Sequence, residues 1–290
     1  MGPAVALLLG LSPVEAPPPA PRPCAAAETR SPVPVAAPLL QPASVAPAPG
    51  DYRHRLSTTP LGWPRLPHWC VWVEPPATSG PGARWEQLWW VAVERALESW
   101  APLVPLHRVQ DPEAAQIRIE RRRPPLRLEA NGRRRASHGR ALLRLERVQR
   151  QGRWRLEPAV TVLLGADQRP AALEATALHE LGHALGLWGH SDDPRDAMAP
   201  TPGPQPTLTP SDRDRRTLEW LYRQPTPFGT PEAAAPQATG RPLRGASSRA
   251  NRNTPSWTIT TLGPEGRSAT ADSSSPSTAQ PAPARAERQR

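Results

Sequence analysis

The chain has 290 residues, 42 of them proline, with one phenylalanine and two tyrosines. Proline-rich stretches bury too little apolar area to offset the entropy of ordering them, so composition excludes a chain folded throughout and argues for one ordinary domain. The formal net charge is +10, and no lysine occurs, so arginine supplies all 36 basic residues; the dense runs at 121–123 and 133–135 contain no stacking aromatics and read as compositional bias, with no specific nucleic-acid partner expected.

In chain order, 1-MGPAVALLLGLSPVEA-16 has an apolar centre and a small-x-small end, and reads as a signal peptide although a positive start is missing. A secreted or extracytoplasmic protein is the expectation. No other stretch is long and apolar enough to span a bilayer. Residues 17–60 read as a Pro/Ala-rich disordered segment containing Cys24. The other cysteine is Cys70; two cysteines make no disulfide framework, and Cys70, in an apolar run, reads as a small buried hydrophobe. Ten of the eleven tryptophans fall between Trp63 and Trp220, which places the folded domain at about 61–228. Residues 229–290 read as a disordered Pro/Ser/Thr/Arg-rich tail.

Within the domain, 70–73 is a short strand stopped by Pro75 and Pro76. Apolar residues at threes and fours make 85–100 a helix. Strands follow at 104–109 and 116–120, then a polar loop at 130–139. Residues 142–148 alternate, Trp154 and Leu156 open another element, and 159–164 is a β-branched strand. A helix spans 171–187, with Pro170 before it and Gly186 near its end. A last helix covers 207–222, with Pro210 and Ser211 at its start. The order describes an α+β (mixed α/β) domain, expected to be a monomer.

The chemistry sits in 179-HELGHALGLWGH-190. On a helix His179 and His183 lie about 40° apart on one face, above the small residues Ala172 and Thr176. Glu180 flanks that face, while Leu178, Leu181 and Leu185 point the other way. Two imidazoles at this spacing suit zinc, and the adjacent carboxylate reaches a metal-bound water. A third ligand must come from beyond the helix, where Gly186 permits a turn and His190 follows. Asp192 and Asp193 compete with it for that role, but an inserted loop residue changes reach by only about 3.5 Å. Zinc with three neutral ligands keeps a fourth position for water and lowers its pKa to about 7.

This segment resembles the zinc helix of the metzincin peptidases, and most closely that of the matrixins. Ala96-Leu97-Glu98-Ser99-Trp100 with Val104-Pro105-Leu106, and Ala115-Gln116-Ile117-Arg118-Ile119, are similar to the family's first helix end and following strands. Asp196-Ala197-Met198-Ala199-Pro200 stands where the family has its Met-turn, and Leu208-Thr209-Pro210-Ser211-Asp212 resembles the start of its C-terminal helix. The resemblance implies a twisted, mostly parallel sheet with an antiparallel edge strand and three helices. It implies one catalytic Zn²⁺ on His179, His183 and His190, Glu180 as general base, and Met198 as the floor beneath the metal. It implies a polypeptide substrate, bound as an added strand along an edge at about 142–148.

The chain departs from the family in four respects. The gap between Gly186 and His190 is one residue longer than usual. Ala199 follows Met198 where matrixins commonly carry tyrosine, and neither Tyr52 nor Tyr222 is placed to stabilise an oxyanion. No aspartate lies between Asp111 and Asp167, so no structural calcium is expected. Finally, 21-PRPCA-25 only loosely resembles the family's latency segment, in which a cysteine binds the catalytic zinc. The function expected is zinc-dependent endopeptidase; the alternatives are a zinc-binding but inactive interaction module, and a basic polyanion-binding protein.

Overall fold

The structure, a computed structural model, describes residues 24–128, 132, 134–200 and 205–232. The segment read as a signal peptide lies outside these residues, as does the tail from 233 onward. In chain order the elements are β1 (Thr29–Pro32), β2 (Gln41–Pro42), a 3-10 turn (Arg53–Arg55), β3 (Ser57–Thr58), β4 (Trp69–Val73) and α1 (Ala83–Trp100). They continue with β5 (Leu106–Arg108), a 3-10 turn (Pro112–Ala114), β6 (Ile117–Glu120), β7 (Arg127–Leu128), β8 (Arg134–Arg135), β9 (Gly139–Arg150), β10 (Arg153–Leu164), α2 (Pro170–Ala184) and α3 (Asp212–Arg223).

Six strands form one sheet in the order β1-β9-β10-β6-β4-β5. β10, β6, β4 and β5 are parallel to one another, and β9 and β1 are added antiparallel. This is the α+β fold that the sequence implied. β4 is buried at four of its five positions, as a strand covered on both faces requires. α1 buries Trp89, Ala92, Val93, Ala96, Leu97 and Trp100 along one stripe. Its two buried indoles find acceptors: Trp89 donates to the Leu164 carbonyl at 3.2 Å and Trp100 to the Leu178 carbonyl at 3.0 Å. That second bond ties α1 to the helix carrying the histidines.

The sequence divided β10 in two, whereas the structure has one twelve-residue strand running through Pro158. Val160 donates its N–H to the Gln116 carbonyl at the start of β6. Pro158 stands two residues earlier, on the same side and beyond that end, so its missing N–H removes no ladder bond. Gln151 and Gly152, both with positive φ, close a tight β9–β10 hairpin.

The expected disorder at 17–60 is corrected for residues 24–60. They form a strap along the sheet and under the zinc-motif loop. β1 pairs with β9 over Glu146–Gln149, and Val33, Val35, Leu39 and Leu40 pack on the core. Tyr52 and Leu56 are buried in it, each stabilising by about 1.5–3 kcal/mol. The reading of Cys70 as a lone hydrophobe is also corrected, because Cys24 and Cys70 form a disulfide. Widely spaced apolar residues among prolines suffice here, since the strap borrows a core already built rather than making its own. At the other end the domain continues to Glu232, whose N–H donates to the Trp154 carbonyl.

Candidate metal centre and cleft

α2 starts with Pro170 at a first-turn position and buries Leu173, Leu178 and Leu181. Its end is a left-handed cap: Gly186 has φ 111°, its N–H donates to His183 O at 2.9 Å, and the Leu187 N–H reaches Gly182 O at 3.0 Å. Two tight turns follow, Trp188 N–H to Gly186 O and Gly189 N–H to Leu187 O. They take up the extra residue and return the chain so that His190 faces the helix. The strap supports this loop. Ser57 N–H donates to Trp188 O, and a Cβ on Gly189 would collide with the Arg55 carbonyl. Glycine is required at 189 for this close approach.

The result is a triad. Ring centroids of His179, His183 and His190 lie 4.8, 5.0 and 5.3 Å apart, and one ring nitrogen from each falls within 4.8 Å of the others. Asp192 and Asp193 are not part of it; they pair with Arg213 and Arg55, and with Arg195. The Nδ1 atoms of His179 and His183 lie 2.8 Å from Ala197 O and 2.7 Å from Leu187 O. A carbonyl only accepts, so each Nδ1 carries the proton and each Nε2 offers a lone pair, the tautomer a metal requires. Burial lowers the pKa of all three histidines, His179 to about 4, so they stand neutral and ready to ligate at pH 7. Trp188 stacks on His183 with planes 11° apart. This donor set fits zinc.

Glu180 is buried beside the triad, its Oε2 accepting the Ala141 N–H at 2.7 Å. Desolvation raises its pKa to about 7, against the opposing pull of that N–H and of Arg140. Gly139 is packed so closely that a Cβ would come within 2.7 Å of Glu180 Cγ. The carboxylate is thus clamped between α2 and the first residues of β9.

Met198 is fully buried with its sulfur against Gly182, where no side chain could fit. Two aspartates fix this turn. Asp214 accepts the Ala197 N–H and the Tyr52 hydroxyl, and completes a capping box with Ser211 at the start of α3. Asp196 accepts the Ser211 and Ser191 hydroxyls. Sequence reasoning placed Asp196 in the Met-turn but gave no supporting role to Tyr52, Asp214 or Gly139. The Ser211-x-x-Asp214 spacing was a usable signal for one of them. A cleft of about 750 Å³ runs over the triad, walled by residues 136–141 on one side and by Ala197, Ala199, Pro200, Leu40 and Ser57 elsewhere.

The departure of 21-PRPCA-25 from the family's latency segment extends to the structure: the Cys24 sulfur is bonded to Cys70 and is not offered to the histidines. The 121–123 arginines are also engaged: Arg121 pairs with Glu74 and Glu86, Arg122 with Glu120, and Arg123 with Asp167.

A helix-borne histidine pair, a third histidine after a left-handed cap and a buried methionine turn, set against a mostly parallel sheet, define a metzincin-type metallopeptidase domain. Residues 86–223 match the Matrixin family model. Over those residues the chain is similar to a matrixin domain, a likeness that supports metallopeptidase chemistry at the level of the family.

Proposed function

We propose that the protein is a zinc-dependent endopeptidase with His179, His183 and His190 as metal ligands and Glu180 as general base. One observation carries the reading: a buried carboxylate held by the Ala141 N–H stands beside three clustered imidazoles, two of which have Nδ1 tied to a backbone carbonyl so that Nε2 is left for a metal. Bound zinc would acidify a water and polarise the scissile carbonyl. Glu180 takes the proton of the attacking water and passes it to the leaving amine nitrogen. On substrate entry Ala141 exchanges its bond to Glu180 for one to the peptide, holding the chain extended along β9. Met198 and Gly182 set the depth of the histidine face, and Gly186 with Gly189 bring in the third ligand.

One catalytic zinc and no structural calcium are proposed, in a monomer. The Cys24–Cys70 disulfide supports an oxidising, extracytoplasmic location, and no described helix is long and apolar enough to cross a membrane. An inactive interaction module would not need Glu180 beside the triad. A polyanion-binding role is disfavoured by the carboxylate partners of the 121–123 arginines. The test is metal content together with cleavage of a denatured protein. About one zinc per chain, with cleavage abolished by a chelator and restored by zinc, is expected. Stoichiometric zinc without cleavage overturns the proposal.

A further inference from the structure

The strap occupies part of the sheet edge that an extended substrate would use. Thr29, Arg30, Ser31 and Pro32 lie opposite Gln149, Val148, Arg147 and Glu146, and Val33 N–H donates to Leu145 O. On this edge the outward-facing backbone groups belong to odd-numbered residues. Leu145 O and Gln149 O accept from the strap, and Ala141 N–H turns away from β10 to Glu180. Beyond Val33 the strap leaves the edge, and among the described residues no backbone partner takes the outward groups of Ala141 and Leu143.

We infer that the strap is a fixed ruler that limits the enzyme to about three extended substrate residues on the N-terminal side of the cleaved bond. The inference rests on the endopeptidase reading for the position of that bond. Glu180 touches Ala141 and packs on Gly139, so the reacting carbonyl faces the first residues of β9. A substrate strand antiparallel to β9, as β1 already is, then runs back from that point toward Leu145. Residues 142–144 offer room for three residues at about 3.4 Å each. The fourth meets Val33. The strap travels in the direction such a substrate would, and fills the place of its residues further from the cut.

The strap is held too firmly to yield to a peptide. Cys24 is bonded to Cys70, Arg150 donates to the Ala25 carbonyl, and Gly152 N–H reaches Glu28. Arg30 bridges to Glu146 at 2.9 Å and also donates to the Glu113 carbonyl. Residues further along are buried, with Tyr52 bonded to Asp214. A specificity element is therefore built from the segment whose composition reads as a disordered arm.

The probes are peptidyl hydroxamates, whose zinc-binding end fixes the register and leaves one to seven residues running toward the N-terminal side. Their Kd is measured on the zinc-loaded full chain, on Arg30→Glu, and on the triple variant Cys24→Ser, Cys70→Ser, Arg30→Glu. In the unmodified chain Kd should tighten through the third residue and then stay within twofold. In the variants, residues four to six should tighten it by fivefold or more, while the three-residue compound binds all three proteins alike, which also shows that they are folded. Tightening beyond the third residue in the unmodified chain overturns the inference. So does a plateau that persists in both variants although hydrogen exchange shows the strap released. Hydroxamate binding without peptide cleavage would instead sink the peptidase reading and leave the ruler standing.

Discussion

Reducing the Cys24–Cys70 bond should destabilise the domain by about 4 kcal/mol. The bond closes a loop across a sequence separation of 46 residues, and loop-closure entropy for that length gives this value at 25 °C. The native state supplies no offsetting relief, because Cys70 sits in the buried run of β4 and the strap from Cys24 continues directly into edge pairing with β9. With a urea slope of about 2 kcal/mol/M, the midpoint should fall by about 2 M. The assay is urea unfolding of zinc-loaded protein followed by tryptophan fluorescence, with and without a phosphine reductant, and repeated on Cys24→Ser, Cys70→Ser. Hydrogen exchange should show residues 28–33 losing protection before the core does. A midpoint shift below about 0.3 M with the strap still protected would refute the reasoning, since the bond would then constrain nothing that matters to stability.

Three further outcomes follow from the centre. In the metal-free chain the histidines have folded pKa values below the unfolded 6.5, so the unfolded state binds more protons as pH falls. Stability should therefore be full above pH 6.5 and decline toward pH 4, by about 3 kcal/mol from His179 alone; an apo midpoint flat from pH 7 to 4.5 would contradict this. Gly182→Ala drives a methyl into Met198 and to within 3.2 Å of Trp100, and should cost about 1–3 kcal/mol with a weakened zinc affinity read by competition with a chromophoric chelator. Unchanged affinity and stability would mean that Met198 is not packed as a floor. Asp214→Ala leaves the Tyr52 hydroxyl and the Ala197 N–H without their acceptor, and should cost about 2–4 kcal/mol in thermal or urea unfolding.

The zinc helix was legible because its information is local. Spacings of three and four put His179, His183 and Glu180 together without reference to the rest of the chain, and the turn at Gly186 made His190 reachable. The helices and the parallel strands were legible for the same reason, through their periods. β10 was divided because Pro158 reads as a breaker, and only its place beyond the end of β6 shows why it is not. The strap was missed because its evidence is sparse in sequence and dense in space. Tyr52 and Leu56 are two apolar side chains among prolines, and both become core only once α3 and the His190 loop are in place. The disulfide is of the same kind, with nothing between residues 24 and 70 announcing the contact. Asp214 looked like one more helix-starting acid, and its bond to the Met-turn spans sixteen or seventeen positions.

Hydrolysis of a peptide by zinc-saturated wild type and by zinc-saturated Glu180→Ala is the most direct test of the proposed chemistry. The alanine variant should keep its zinc, while kcat falls by about 10²–10⁴-fold. Equal turnover by the two proteins at equal zinc content would contradict Glu180 as the base, and with it the proposed mechanism.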